Sequence, residues 1–218
     1  MRKMTFLTLL FAAGWLLAGC ESDETAPSDP LPPLEAEDVA SQSGVMAMIL
    51  VEIAPFALEF SDKADAADGN YSYTFAPGDP VQGTVLLHFE LEGAPSGYDV
   101  ADYAMAWSVP DYPLALYPLD EGPAWLLAFT LESDIDQAGG TAVSSGSGTL
   151  EIGDYLAEWT ATAIAVAEDD DWPASGVLIF ANEGVTASVT FDGDSSAVVQ
   201  VGGLTWSLDL NTGTLTEL

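Results

Sequence analysis

Apolar and polar residues alternate with a period of two along three separate segments, and this pattern sets the character of most of the chain. Val85, Leu87, Phe89 and Leu91 oppose Leu86, His88, Glu90 and Glu92; Val185, Ala187, Val189 and Phe191 oppose Thr186, Ser188, Thr190 and Asp192; Leu204, Trp206, Leu208 and Leu210 oppose Thr205, Ser207, Asp209 and Asn211. Such alternation marks strands with one buried and one wet face. Asn182-Glu183-Gly184, Asp192-Gly193-Asp194, Gly202-Gly203 and Asn211-Thr212-Gly213 punctuate the C-terminal segments, and short glycine-containing loops of this kind close antiparallel hairpins. Further strands are expected near 102–109, 124–133, 147–152, 155–167 and 176–182, with 144–148 as a strand entry and the proline-rich 108–122 as an edge or loop.

Upstream the period changes. Val45, Met48, Ile49, Ile53, Phe56, Ala57 and Phe60 recur at spacings of three and four, which predicts a helix over about 35–60 with one apolar face. Glu35, Glu37 and Asp38 suit its first turn, where the helix dipole favours negative charge. Pro55 should kink or split the element, and Gly44 should weaken it. A methionine and aromatic stripe can line a ligand pocket, but packing against a core is its ordinary use. About ten strands and one helix predict a mainly β domain: a curved antiparallel meander sheet or incomplete barrel with the N-terminal helix packed on its concave face. A β-sandwich is the alternative.

Residues 1–20 follow different rules. Arg2 and Lys3 precede an uncharged run from Met4 to Leu16, then come Leu17-Ala18-Gly19-Cys20 and, at once, Glu21-Ser22-Asp23-Glu24. An apolar run of about 13 residues falls short of the ~20 that span a bilayer, and its flanks suit a processing segment. The arrangement resembles the signal peptide of bacterial lipoproteins, with its Leu-Ala-Gly-Cys box. The resemblance implies cleavage between Gly19 and Cys20, removal of residues 1–19, a diacylglyceryl group on the Cys20 thiol and acylation of the freed amine. Two or three acyl chains at ~0.8 kcal/mol per buried methylene make a lasting anchor. In enterobacterial members an aspartate directly after the cysteine retains the protein in the inner membrane. Glu21 stands there instead, so the resemblance points to the outer membrane. Residues 20–34 then read as the lipidated cysteine and a proline- and acid-rich tether reaching at most roughly 45 Å. Residues 35–218 read as a single β-rich domain.

Charge narrows the choice of partners. The chain carries 35 acidic and three basic residues, a formal net charge of −32, yet 49% of it is hydrophobic, enough to fold rather than stay extended. Nucleic acid is excluded as a partner, because its recognition rests on clustered Lys and Arg. The expected partners are the membrane, through lipidated Cys20, and another envelope protein. So acidic a surface also suits a saline habitat, since salt screens its self-repulsion. With one cysteine there is no internal disulfide, and packing must supply the stability.

Candidate chemistry is sparse. His88 is the one histidine and sits on the polar side of its strand, so neither a Ser-His-Asp nor a zinc constellation is expected. The residue types leave open only a carboxylate-only hydrolase, and no enzyme is expected. No cofactor is expected either; calcium is the one candidate ion, held by Asp62, Asp65 and Asp68 or by Asp169, Asp170 and Asp171. The spacing of the first three does not match an EF-hand loop. Trp107, Trp125, Trp159, Trp172 and Trp206 lie after the Cys20 box, most of them in alternating segments; core or loop anchoring is the leading reading for them, and Trp172, between Asp171 and Pro173, is the one candidate for exposure. The main functional expectation is a non-enzymatic, membrane-anchored envelope lipoprotein serving as a structural or protein-interaction module. The alternatives are a carrier or sensor of apolar ligands in a helix-lidded open barrel, which resembles in outline the open-barrel lipoprotein carriers, and a calcium-stabilised surface or adhesion module.

Overall fold

The computed structural model describes residues 35–58, 69–74, 81–92, 102–109, 114–116, 125–136 and 139–218. Among the described residues one helix, α1 (Ala36–Ile53), is followed by thirteen strands: β1 (Gly69–Thr74), β2 (Val81–Gln82), β3 (Thr84–Glu92), β4 (Asp102–Ser108), β5 (Leu114–Leu116), β6 (Trp125–Asp136), β7 (Thr141–Ile152), β8 (Tyr155–Ala167), β9 (Ser175–Asn182), β10 (Val185–Phe191), β11 (Ser196–Val201), β12 (Leu204–Asp209) and β13 (Leu215–Glu217). All belong to one antiparallel sheet, not to the two layers of a sandwich. Its order is β1-β3-β4-β6 and then every strand in sequence to β13, so β6–β13 form an uninterrupted eight-strand meander. Among the described residues no pairing joins β1 to β13, and the curved sheet is open.

The alternation does what the pattern requires. On β10 Ala187, Val189 and Phe191 are buried while Thr186 and Thr190 are exposed, and on β6 the inward series Trp125, Leu127, Phe129, Leu131 and Ile135 is buried. Val85 on β3 is buried and Leu86 exposed. The hairpins close on the expected residues. Glu183-Gly184 links β9 to β10 with φ of 47° and 83°, a pair of left-handed residues whose twist matches the flanking strands. Three expectations need correction. Strand β7 begins at Thr141, so 144–148 lies inside it rather than at its entry. Leu114–Leu116, inside the stretch read as an edge or loop, pairs with both β2 and β6. Leu204 follows the inward phase of β12 but is 46% exposed, because it borders the Gly202-Gly203 turn.

Helix α1 is capped at its start, where Asp38 Oδ2 accepts a hydrogen bond from the Glu35 amide at 3.0 Å. Pro55 splits the helical stretch as expected: α1 stops at Ile53, Ala54–Pro55 form a turn, and 56–58 make one further helical turn. The predicted single apolar face is too narrow. Met46, Ala47 and Met48 are all buried, and so are Leu50 and Val51, although consecutive residues point ~100° apart around the axis. Val45 and Ile49, two members of the predicted stripe, are only half-buried. A helix that is apolar on nearly every side must be enclosed. It lies across β9, β10, β11 and β12. Gly44 faces β12, where a Cβ on it would stand 3.4 Å from Leu208 Cδ1.

Two irregularities bend the sheet between β7 and β9. The register shifts between Ser144 and Gly146 on β7 and between Thr162 and Ala165 on β8, where Ala163 takes a left-handed φ of 50°. Its amide donates to Ser145 Oγ at 2.9 Å, so the bulge is closed by a neighbouring hydroxyl. Gly148 faces Phe129 on one side and Trp159 on the other, and the two rings, 6.5 Å apart between centroids, lean over it. A Cβ at this position would run into the Ala128 carbonyl oxygen and lie 2.8 Å from the Trp159 ring. Gly148→Ala is therefore expected to destabilise the fold by about 1–3 kcal/mol through overpacking. Leu208→Ala, which removes the contact with α1, is expected to cost about 2–5 kcal/mol. Urea unfolding monitored by tryptophan fluorescence measures both.

Candidate functional site

Consecutive pairing sorts the connections of the meander onto two ends. At one end the β7–β8, β9–β10 and β11–β12 links are tight, built on Gly153-Asp154, Glu183-Gly184 and Gly202-Gly203. At the other end the β6–β7, β8–β9, β10–β11 and β12–β13 connections carry Asp136, Glu168 to Asp171, Asp192, Asp194 and Asp209. Neighbouring connections at this acidic end are tied together by backbone bonds: Glu168 N to Gly140 O at 2.9 Å, Gly193 N to Pro173 O at 3.1 Å and Leu210 N to Ser195 O at 2.8 Å.

Three of these carboxylates fold the turns that carry them. Asp136 Oδ1 accepts from the Gly139 amide at 2.8 Å, Asp192 Oδ1 from the Asp194 amide at 3.2 Å, and Asp209 Oδ1 from the Asn211 amide at 2.8 Å. Short aspartates of this kind satisfy backbone donors that a turn would otherwise leave to water. The Asn211 amide chiefly holds the Asp209 carboxyl below its ordinary 3.8; burial, the next largest effect, opposes it, and the Asn211 side chain and Thr212 add to the lowering.

The sequence-predicted site residues are dispersed. Asp169, Asp170 and Asp171 lie exposed in the β8–β9 connection, and among the described residues no group of three or more His, Cys, Asp or Glu side chains is placed to hold a metal ion. Asp62, Asp65, Asp68, Gly19 and Cys20 lie outside the described residues. His88 stands in β3, in register with Asn70 on β1 and Ala106 on β4. Trp125, Trp159 and Trp206 are core residues as expected. Trp172, the candidate for exposure, is half-buried and packs against the core next to the buried Pro173, in line with the anchoring reading.

Sequence reasoning missed the polar groups of the interior. Ser133 and Ser144, opposite each other on β6 and β7, share a buried hydroxyl–hydroxyl bond of 2.7 Å. Asn182 Nδ2 donates to Gln42 Oε1 at 2.8 Å and joins β9 to α1. Its Oδ1, and the Trp159 indole N–H on the neighbouring strand, are buried without a hydrogen-bond partner. Trp159 is opposite Phe180 and Asn182 is two residues further along β9, so the pair sits on diagonal inward positions, ~7–8 Å apart at their backbones. A serine or asparagine at an inward phase of an alternating strand is the signal that could have revealed them.

No family model, no curated protein and no solved structure matches this chain.

The turn geometry fixes a pH response. A carboxyl held below its ordinary value adds stability above that value, and loses it as pH falls through the lowered one. Carboxyl-carbon NMR should find Asp209 titrating below 3.8. Asn211→Ala should restore only part of the difference, because the backbone amide stays in place.

Proposed function

We propose that this chain is a lipid-anchored protein of the bacterial envelope, held in the outer membrane through Cys20 and working there as a non-enzymatic interaction module. The observation that carries this reading is the Leu17-Ala18-Gly19-Cys20 box, placed after a basic start and a short apolar run and before an abrupt acidic segment. The described body begins with Glu35 capping α1, which leaves residues 20–34 for the proposed tether. Expression of the full chain in a Gram-negative host with labelled palmitate tests the anchor. The wild-type chain should carry label and sediment with outer membranes, and Cys20→Ser should lose both properties. Label that persists in Cys20→Ser would sink the reading.

The buried Trp159 N–H and Asn182 Oδ1 favour a second reading, a carrier of apolar ligands bearing one polar group that both donates and accepts. A native mass spectrum of the full chain would then show an added mass that organic solvent removes. In Trp159→Phe that added mass should fall to less than half occupancy. A bare polypeptide mass leaves the interaction module standing alone.

A further inference from the structure

The carboxylates of the meander collect at its two ends and are nearly missing from its outer wall. The positions of β8–β12 that point away from the core carry Thr, Ser, Val, Ile, Leu, Ala and Gln, apart from Glu158 near one end and Asp209 at the other. On a chain with 35 acidic residues this depletion calls for a physical reason. The outward positions of β6 show the contrast, with Glu132, Asp134 and Asp136 in succession. Solvent-facing apolar groups stand on the neutral wall: Ile179 on β9 is 39% exposed and Val198 on β11 36%, with Thr190 of β10 directly opposite Val198. Depletion of charge is one mark of the middle of a protein interface.

We infer that this outer wall of β8–β12 is the surface through which two copies of the chain associate. Charge selects the occupant. A basic partner would find its complement on the acidic ends, not on the neutral wall, and an anionic partner finds no Lys or Arg there. A sugar-binding role would call for exposed aromatic side chains, and the wall has none among its described positions. A second copy presents the same neutral surface, and a two-fold arrangement makes such a patch complementary to itself. Size sets the strength. The five strands β8–β12, ~4.8 Å apart and about six residues long at ~3.3 Å each, make a wall of roughly 480 Å², well below the ~800 Å² per partner of a standard stable complex. The association is therefore reversible, and the acidic ends of two copies oppose it until salt screens them, over ~10 Å at 0.1 M and ~3 Å at 1 M.

Sedimentation equilibrium of the full chain in density-matched detergent, at low and at molar salt, tests this. The association constant should rise at least about tenfold with salt, whereas pairing between opposite charges would weaken. Val198→Glu should lower it at least about tenfold in molar salt, and Gln200→Glu, which adds the same charge without removing an apolar group, should also lower it. Thr130→Glu, on the outer face of β6, should leave it unchanged. A monomer at every salt concentration, a dimer that weakens with salt, or a dimer indifferent to both substitutions on β11 would overturn the inference.

Discussion

The structure depends on the need to cover α1. The stretch Ala36–Leu58 is long and apolar enough to cross a membrane by length and composition, yet 67% of its most apolar window is buried inside the protein. Such a helix cannot rest on a surface with one side in water. It needs apolar neighbours around most of its circumference, and β9 to β12 provide them through Phe180, Val189, Val199 and Leu208. The N-terminal element and the C-terminal hairpins therefore stabilise each other, and neither buries its apolar side alone.

The meander meets this demand with local means. Each strand from β6 onward pairs with the next, so register is passed along by tight turns instead of long crossovers. Bulges at Ser145 and Ala163 and the glycine beneath the Phe129 and Trp159 rings give the sheet its bend. The acidic residues that dominate the charge are put to structural use at one end, where Asp136, Asp192 and Asp209 close turns by accepting backbone amides.

What could be read from the sequence follows from the range of each signal. Alternation along β10 and β12 and the Glu183-Gly184 and Gly202-Gly203 turns are local patterns, and the ladder they predict is the ladder observed. The break at Pro55 is equally local. The enclosure of α1 was not legible, because a period of three and four shows which residues share a face but not how many faces the partner covers. The pairing of Leu114–Leu116 with two strands was hidden for a similar reason: the surrounding prolines suggest an edge, and only the neighbours decide. How far Trp172 is buried could not be read, because the preceding aspartates describe its chain neighbours, not its spatial ones. Of the candidate site, the Cys20 box is a contiguous motif that lies outside the described residues. The Ser133–Ser144 pair and the Gln42–Asn182 bond join residues far apart in the chain, and no single segment announces them.

The split between α1 and its cover has a consequence in time. A ribosome makes the helix first and Leu208 last but ten residues, so during synthesis the most apolar segment of the domain waits for partners that do not yet exist. Until β9 to β12 emerge, the nascent chain offers a segment long and apolar enough to be mistaken for a membrane span. The fold thus places its greatest vulnerability at birth, and any helper protein that attends this chain has the interval between Ile53 and Ser175 in which to act.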